Sequence, residues 1–201
     1  MSRPQGPPRV ALVDKPAGPT SFDVVRDVRR AVGVRRVGHG GTLDPFASGL
    51  MVVGVGSATR LLSFVLHGDK TYEATIRFGV ETDTCDPTGA VVREAAVDVD
   101  ASALGRAMEA FEGWIEQVPP RHSAIKVEGR RAYDRALAGE DFELRARRVR
   151  VERFELLDLD DGVARVRVRC GGGTYIRSLA RDLGRAIDGA AHLTALRRTA
   201  V

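Results

Sequence analysis

A chain of 201 residues with 22 glycines, 43% hydrophobic residues and 31 Lys/Arg against 27 Asp/Glu suits one large domain or two small ones, and is too glycine-rich for a helical bundle. Its apolar runs are too short to span a membrane. Cys85 and Cys170 stand far apart in no ligand-like spacing, so they read as free thiols of a cytoplasmic protein, with no metal expected.

The charge is unevenly spread. Lys and Arg outnumber Asp and Glu nine to four over residues 1–60, nine to five over 121–150 and eight to two over 165–201. Residues 61–120 and 151–164 are acidic, at four to eleven and one to five. Such a distribution suits a polyanion held along one face, and equally suits ordinary solvated arginines on helix faces.

In chain order, residues 1–9 (MSRPQGPPR) are Pro-rich and basic with no apolar stretch. They are expected to be a disordered lead-in and not a signal peptide, with one domain over 10–201. Val10 to Val13 reads as a buried strand ended by Lys15-Pro16. Thr20 with Asp23 forms a capping-box pattern ahead of a helix with Phe22, Val25, Val28 and Val32 on one face, closed by Gly33. Leu50 to Val55 is a second buried strand, and Ser57 is placed to cap a helix carrying Leu61, Leu62, Val65 and Leu66 to Gly68. Tyr72, Ala74, Ile76 and Phe78 alternate with polar residues as in a half-buried strand. Residues 86–89 (DPTG) read as a turn into a strand at Val91-Val92. A helix beginning at Asp100 or Ser102 presents Leu104, Met108 and Phe111, with Gly113 closing it.

Residues 120–148 are basic and poor in large apolar side chains, with a short helix expected near Tyr133 to Leu137. Arg148 to Leu159 and Val163 to Cys170 read as a hairpin turned at Asp160-Asp161-Gly162. Thr174 is the expected cap of a helix with Ile176, Leu179, Leu183 and Ile187 on one face and Arg177, Arg181 and Arg185 on another. His192 to Arg198 reads as the last strand. These elements predict an α+β fold: a mixed, mostly antiparallel sheet with packed helices.

Between the first helix and the second strand lies Gly38-His39-Gly40-Gly41-Thr42-Leu43-Asp44-Pro45-Phe46-Ala47-Ser48-Gly49. The proline after Asp44 disfavours a helical backbone there, and glycines punctuate both sides. An isolated Asp-Pro pair is more often a turn-maker than a working carboxylate. The string 38–61, however, resembles the catalytic motif of the TruB family of tRNA pseudouridine synthases. DKPAGPTSFDVV, DKTYEATIRFGVETDTCDPTG, the stretch Pro120 to Lys126, GTYIRSLARDLG and AHLTALRRTAV resemble further family segments, in family order, and together cover nearly the whole chain.

The resemblance implies the pseudouridine synthase fold with a central catalytic cleft, and an isomerase that converts the uridine at position 55 in the T-loop of tRNA into pseudouridine. Asp44 takes the place of the nucleophile, with attack at either the base or the sugar. Tyr72 takes that of the tyrosine that stacks on the base and serves proton transfer, and Arg177 that of the cation partnering the carboxylate. His39, Tyr72, Tyr175 and Leu196 match substrate-contacting positions. Arg60, Lys126, Arg130, Arg131 and Arg181 are the expected RNA contacts, with 120–148 as an RNA-clamping insertion; an ordinary connecting hairpin is the competing reading there. No cofactor is implied. The partner is the T-arm of tRNA, and a monomer is expected. Family members usually continue into a C-terminal RNA-binding domain of the PUA type; this chain stops at Val201 without one, which is expected either if the protein lacks it or if the sequence is a piece of a longer protein.

Gly40 stands where Thr is common, Arg60 where Lys is common and His122 where an aromatic is frequent; Gly171-Gly172-Gly173 replaces a stretch that often carries Lys. These departures touch RNA contact more than catalysis. A binding protein that helps tRNA fold without turnover is the alternative, and a guide-RNA-directed relative a third possibility. Asp44, Tyr72 and Arg177 together favour the enzyme, because binding a polyanion needs no carboxylate.

Overall fold

The computed structural model describes residues 7–96 and 98–201; the lead-in expected over 1–9 therefore lies mostly outside the described residues, and Arg9 already belongs to the first strand. The chain forms two compact units, one of residues 1–73 with 196–201 and one of residues 74–195.

The first unit is built on β3 (Ser48–Val55), whose apolar run is buried from Met51 to Val55. β1 (Arg9–Lys15) pairs with it antiparallel, from Arg9 opposite Val55 to Lys15 opposite Gly49. The short β2 (Val37–His39) also pairs with it antiparallel. β12 (Ala191–Ala200) runs parallel to it at Arg197 and Arg198. A strand covered on both sides reads as a continuous hydrophobic run, which is the pattern seen at Leu50 to Val55.

Helix α1 (Ser21–Val32) begins as the sequence predicts. The Thr20 hydroxyl accepts from the Asp23 N–H, the Asp23 carboxylate accepts from the Thr20 N–H, and Gly33 ends the helix in the left-handed region. Its buried face is shifted. Ser21, Val24 and Val25 are inside and Phe22 is largely exposed, because the Ser21 hydroxyl is bonded to the backbone of Leu43 and turns that side inward.

The helix expected after Ser57 is replaced by a 3-10 turn (Gly56–Leu61) and a six-residue α2 (Leu62–His67), without a side-chain cap. The Thr59 hydroxyl donates to the Gly56 carbonyl, a local bond that competes with helix hydrogen bonding. At the other end, buried Lys70 donates to the carbonyls of Val65, Leu66 and Gly68 and closes the helix there. Leu61, Phe64 and Leu66 are left exposed.

The second unit begins at Ala74 within β4 (Lys70–Phe78) and ends at Ala195 within β12, and its strand order is β12, β4, β11 (Val163–Cys170), β10 (Arg147–Asp160), β7 (Gly113–Gln117). β4 buries Tyr72, Ala74, Ile76 and Phe78 as predicted, and β11 buries Val166, Val168 and Cys170 while exposing Arg165, Arg167 and Arg169. Asp161 and Gly162 both have positive φ, the signature of a two-residue type I′ hairpin.

Helix α3 (Ala101–Glu109) is capped by Asp100, whose carboxylate accepts from Ser102 and Ala103. It ends before Gly113, which opens β7 instead of closing the helix. β5 (Val80–Thr82) and β6 (Val91–Glu94) form a separate hairpin around the 86–89 turn. Between β7 and β10 lie the two-residue strands β8 (Lys126–Val127) and β9 (Arg130–Arg131), followed by α4 (Ala132–Leu137).

Helix α5 (Ile176–Ala186) buries Ile176, Leu179, Ala180 and Leu183. Tyr175, not Thr174, is its N-cap residue, because the Thr174 hydroxyl donates backward to the Gly171 carbonyl. Ile187, expected on the apolar face, is the C-cap residue.

Candidate active site

In the first unit, half-buried Asp44 sits in a loop that is held from several sides. Immediately before it, the Leu43 N–H donates to the Ser21 hydroxyl at 2.8 Å and the Leu43 carbonyl accepts from the same hydroxyl at 2.9 Å. Immediately after it, the Pro45 carbonyl accepts from the Gly18 N–H at 2.8 Å and from Lys15 Nζ at 3.3 Å.

Lys15 is 0% exposed, and its ammonium also donates to the carbonyls of Pro16 and Pro19. Burial pulls its pKa below the usual lysine value, and the charge of Asp44 acts in the opposite direction. Asp44 thus lies within electrostatic reach of a buried ammonium, a neighbour that favours a charged carboxylate. Arg198, 1% exposed, completes the frame: its guanidinium donates to the carbonyls of Gly41, Thr42 and Leu50.

His39 lies at the end of β2, half-buried, and its Nδ1 accepts from the Gly41 N–H. Burial lowers its pKa and the charge of Arg198 adds to that, so the neutral imidazole is favoured. Gly40 gains a structural reason: a Cβ there would meet the Val65 side chain at 2.7 Å. Tyr72 is buried on β4, Leu196 is buried on β12, and Arg60 is exposed at the end of the 3-10 turn. Asp44, His39, Tyr72, Leu196 and Arg60 therefore all belong to the first unit.

Tyr175, Arg177, Arg181, Lys126, Arg130 and Arg131 belong to the second. Arg177 is 4% exposed and does not face solvent. Its guanidinium donates to the carbonyls of Thr84 and His122 and lies 3.4 Å from the Asp86 carboxylate. Asp86 is itself fixed by Thr84 and by the backbone and hydroxyl of Thr88. An arginine in the first turn of a helix opposes the macrodipole; Asp86 and the two carbonyls offset that cost.

Tyr175 is half-buried. Its N–H donates to Gln117 Oε1 at 2.8 Å, and its carbonyl accepts from Gln117 Nε2 at 3.1 Å. Arg181 is 9% exposed and turns its guanidinium inward, onto the Val118 carbonyl and Asp182. Its donors thus serve the fold. Arg185 forms a bidentate pair with buried Glu81. Cys85 is buried, and burial raises its thiol pKa.

The 120–148 segment is a small hairpin plus a helix, tied together by its own charges. Glu140 accepts from Arg130 at 2.6 Å and from Arg135 at 2.9 Å; Arg135 also pairs with Glu128. The guanidiniums of Arg121 and Arg135 lie 4.6 and 5.1 Å from the centroid of the Phe142 ring. Lys126, Arg130 and Arg131 are exposed.

Lys15, Asp86 and Gln117 were not singled out from the sequence as site residues. The one available signal was a charged or amide side chain beside a proline or within an apolar strand. Among the described residues, no group of three or more His, Cys, Asp or Glu is placed to hold a metal ion, and no helix is long and apolar enough to cross a membrane.

Residues 29–176 match the model of the TruB family pseudouridylate synthase N-terminal domain. The chain is 53% identical over 201 residues to the tRNA pseudouridine synthase B of Thermobifida fusca (strain YX), covering 96% of this chain and 69% of that protein. It is 51% identical over 197 residues to the protein of that name from Mycobacterium sp. (strain KMS), covering 96% of this chain and 66% of that one. Among solved structures, a chain in a Cbf5–Nop10–Gar1 complex superposes with a TM-score of 0.74 at 33% identity, over 94% of this chain and 47% of that one. An H/ACA RNP bound to a substrate RNA containing 2′-deoxyuridine gives 0.70 at 30% identity, over 94% and 46%. The chain thus spans about two thirds of the length of these curated relatives and about half of the solved chains.

Proposed function

The chain belongs to the TruB family of pseudouridylate synthases, and from that premise we propose that it isomerises the uridine at position 55 in the T-loop of tRNA to pseudouridine, as a cytoplasmic monomer. The observation that carries the reading is the framed loop at Asp44. Hydrogen bonds hold the residues on either side of it, Lys15 lies within electrostatic reach, and Arg198 anchors the carbonyls of Gly41 and Thr42 before it. Such anchoring positions a reactive group without further ordering at the moment of reaction.

The reaction is internally balanced. The C1′–N1 bond breaks, a C1′–C5 bond forms, and the proton leaving C5 is matched by one gained at N1, so no redox partner is consumed. Asp44 supplies the nucleophile, since a carboxylate forms an ester-like adduct that can still leave. Tyr72 stacks on the base and serves proton transfer. Arg177 contributes positive charge, Tyr175 and Leu196 line the base, and His39 contacts the RNA. Lys126, Arg130, Arg131 and Arg60 hold phosphates, which position an RNA without reading its sequence. Flipping the target base costs a few kcal/mol, offset by stacking and hydrogen bonding in the enzyme. Identity of about one half to proteins named tRNA pseudouridine synthase B supports the tRNA reading.

The test scores pseudouridine at each T-loop position of a tRNA transcript under single-turnover conditions. Asp44→Asn keeps the side-chain size and removes the attacking charge. It is expected to abolish product while tRNA binding stays within about twofold of the wild type, as for an interaction made only in the transition state. Product formation at the wild-type rate in that variant removes Asp44 from the chemistry.

A further inference from the structure

β7 ends the strand order of the second unit, and its outward side carries an aromatic residue that neither the family segments nor the proposed active site uses. The burial pattern turns Trp114 and Glu116 outward and Gln117 inward. Across the antiparallel pair, Arg150 lies opposite Trp114 and Arg148 opposite Glu116, while Val149 and Val151 point into the core. Trp114 is 62% exposed, and the Arg148 guanidinium sits 4.8 Å from its ring centroid. We propose that this face is a docking surface for single-stranded RNA, on which Trp114 stacks a nucleobase and Arg148 and Arg150 take the flanking phosphates. It rests on the reading that the chain acts on RNA.

Three observations select that occupant. Among the described residues, neither Arg148 nor Arg150 has an ion-pair partner. On neighbouring β11, by contrast, Arg169 is 3.0 Å from Glu152 and Arg167 is 3.9 Å from Glu155. The charge balance of the face is two cations against Glu116, the sign a polyanion requires. The apolar component is a single indole set among charged side chains, which suits stacking of one base better than the packed apolar centre of a protein interface. Base–aromatic stacking beside a cationic track is the usual basis of sequence-tolerant binding to single strands.

Trp114 is the only tryptophan in the chain, so its emission reports this surface alone. The experiment titrates the full chain with a ten-nucleotide oligouridylate and, separately, with a tRNA transcript, following tryptophan emission and the anisotropy of labelled RNA together. Pseudouridine is scored in the tRNA from the same preparations. Saturable quenching by the oligonucleotide is expected, with the same midpoint as anisotropy. Trp114→Ala should weaken oligonucleotide binding by about 5- to 150-fold, and Trp114→Phe far less. Arg148→Gln with Arg150→Gln should keep the emission readout, weaken quenching and flatten the log K against log salt slope by about 1.4. That double variant decides the matter if Trp114→Ala does not fold.

The proposal is overturned if the oligonucleotide does not bind, if it binds with emission unchanged, or if polyglutamate quenches as strongly as RNA. The last result marks a generic surface for acidic partners. Pseudouridine formation without quenching overturns this surface and leaves the enzyme reading intact. Quenching without pseudouridine does the reverse.

Discussion

Two buried cations, Lys15 and Arg198, hold the Asp44 loop by donating to backbone carbonyls. Arg198 reaches the carbonyls of Gly41, Thr42 and Leu50 with one planar fork, and a lysine cannot present donors in that geometry. Hydrogen bonds from a charged donor contribute about 1.5–3 kcal/mol each. Arg198→Lys should therefore lower the thermal midpoint by about 3–12 °C, taking one such bond as lost and roughly 2–4 °C per kcal/mol in a chain of this size. A melt within about 1 °C of the wild type removes Arg198 as an anchor. His39 gives a pH dependence. Its folded pKa is depressed by burial and by Arg198, so below the unfolded value of about 6.5 the unfolded chain binds more protons. Its contribution to stability is full above that value and falls as pH drops toward the folded pKa. His39→Gln should flatten the loss of stability between pH 7 and 5.5, read by urea titration at each pH; an unchanged profile excludes the assignment. His39 and Asp44 were legible because their motif is local. The anchoring role of Arg198 was not, because its acceptor at Gly41 lies 157 residues away in the chain.

At the level of elements, two helical glycines predict opposite outcomes for the same substitution. Gly105, in the middle of α3, has nothing within 4 Å of an added Cβ. Alanine there adds helix propensity of about 1 kcal/mol with no steric cost. Gly184, on α5, would place its Cβ 2.6 Å from the Ala191 nitrogen and 2.8 Å from the Ala190 carbonyl carbon. Those are backbone atoms and cannot rotate away, and overpacking of that kind costs about 1–3 kcal/mol, at least as much as the propensity gain. Gly105→Ala should raise the thermal midpoint and Gly184→Ala should lower it; a rise in both shows that β12 can shift away from α5. α1, β3, β4, β10 and β11 were legible because caps, apolar runs and period-two alternation are encoded within each segment. β7 was not: it starts at a glycine that also reads as a helix stop, and the alternation of Trp114, Ile115, Glu116 and Gln117 ends in an amide buried against Tyr175. The α1 face was misread by one residue because the choice between Ser21 and Phe22 is made by Leu43, outside the helix.

For the molecule as a whole, charge is sorted between the units. Residues 1–73 with 196–201 hold 12 Lys/Arg against 6 Asp/Glu, and residues 74–195 hold 19 against 21. Most arginines of the second unit named above are committed to its own carboxylates, including Arg130 to Glu140 and Arg185 to Glu81. The sequence showed the basic stretches but not these pairings, since a count of charges does not tell which are already neutralised. Exposed ion pairs contribute only about 0–1 kcal/mol, so a phosphate can take Arg130 from Glu140 at small cost. If the 120–148 segment clamps RNA, Arg130 and Arg131 each neutralise a phosphate, and each phosphate contributes about 0.7–0.9 to the slope of log K against log salt. Arg130→Ala with Arg131→Ala should therefore weaken tRNA binding and flatten that slope by about one to two units. The single-turnover rate on saturating RNA should stay near the wild type, because phosphate contacts position the substrate without entering the bond changes. Glu140→Gln separates this from simple loss of structure. It removes the competing carboxylate, so binding should tighten, most visibly at low salt where exposed charges are least screened. Filter binding of tRNA from 50 to 300 mM salt reads both variants. A double variant that keeps the wild-type slope leaves 120–148 a connecting hairpin held by its own ion pairs, with the phosphate contacts elsewhere on the chain.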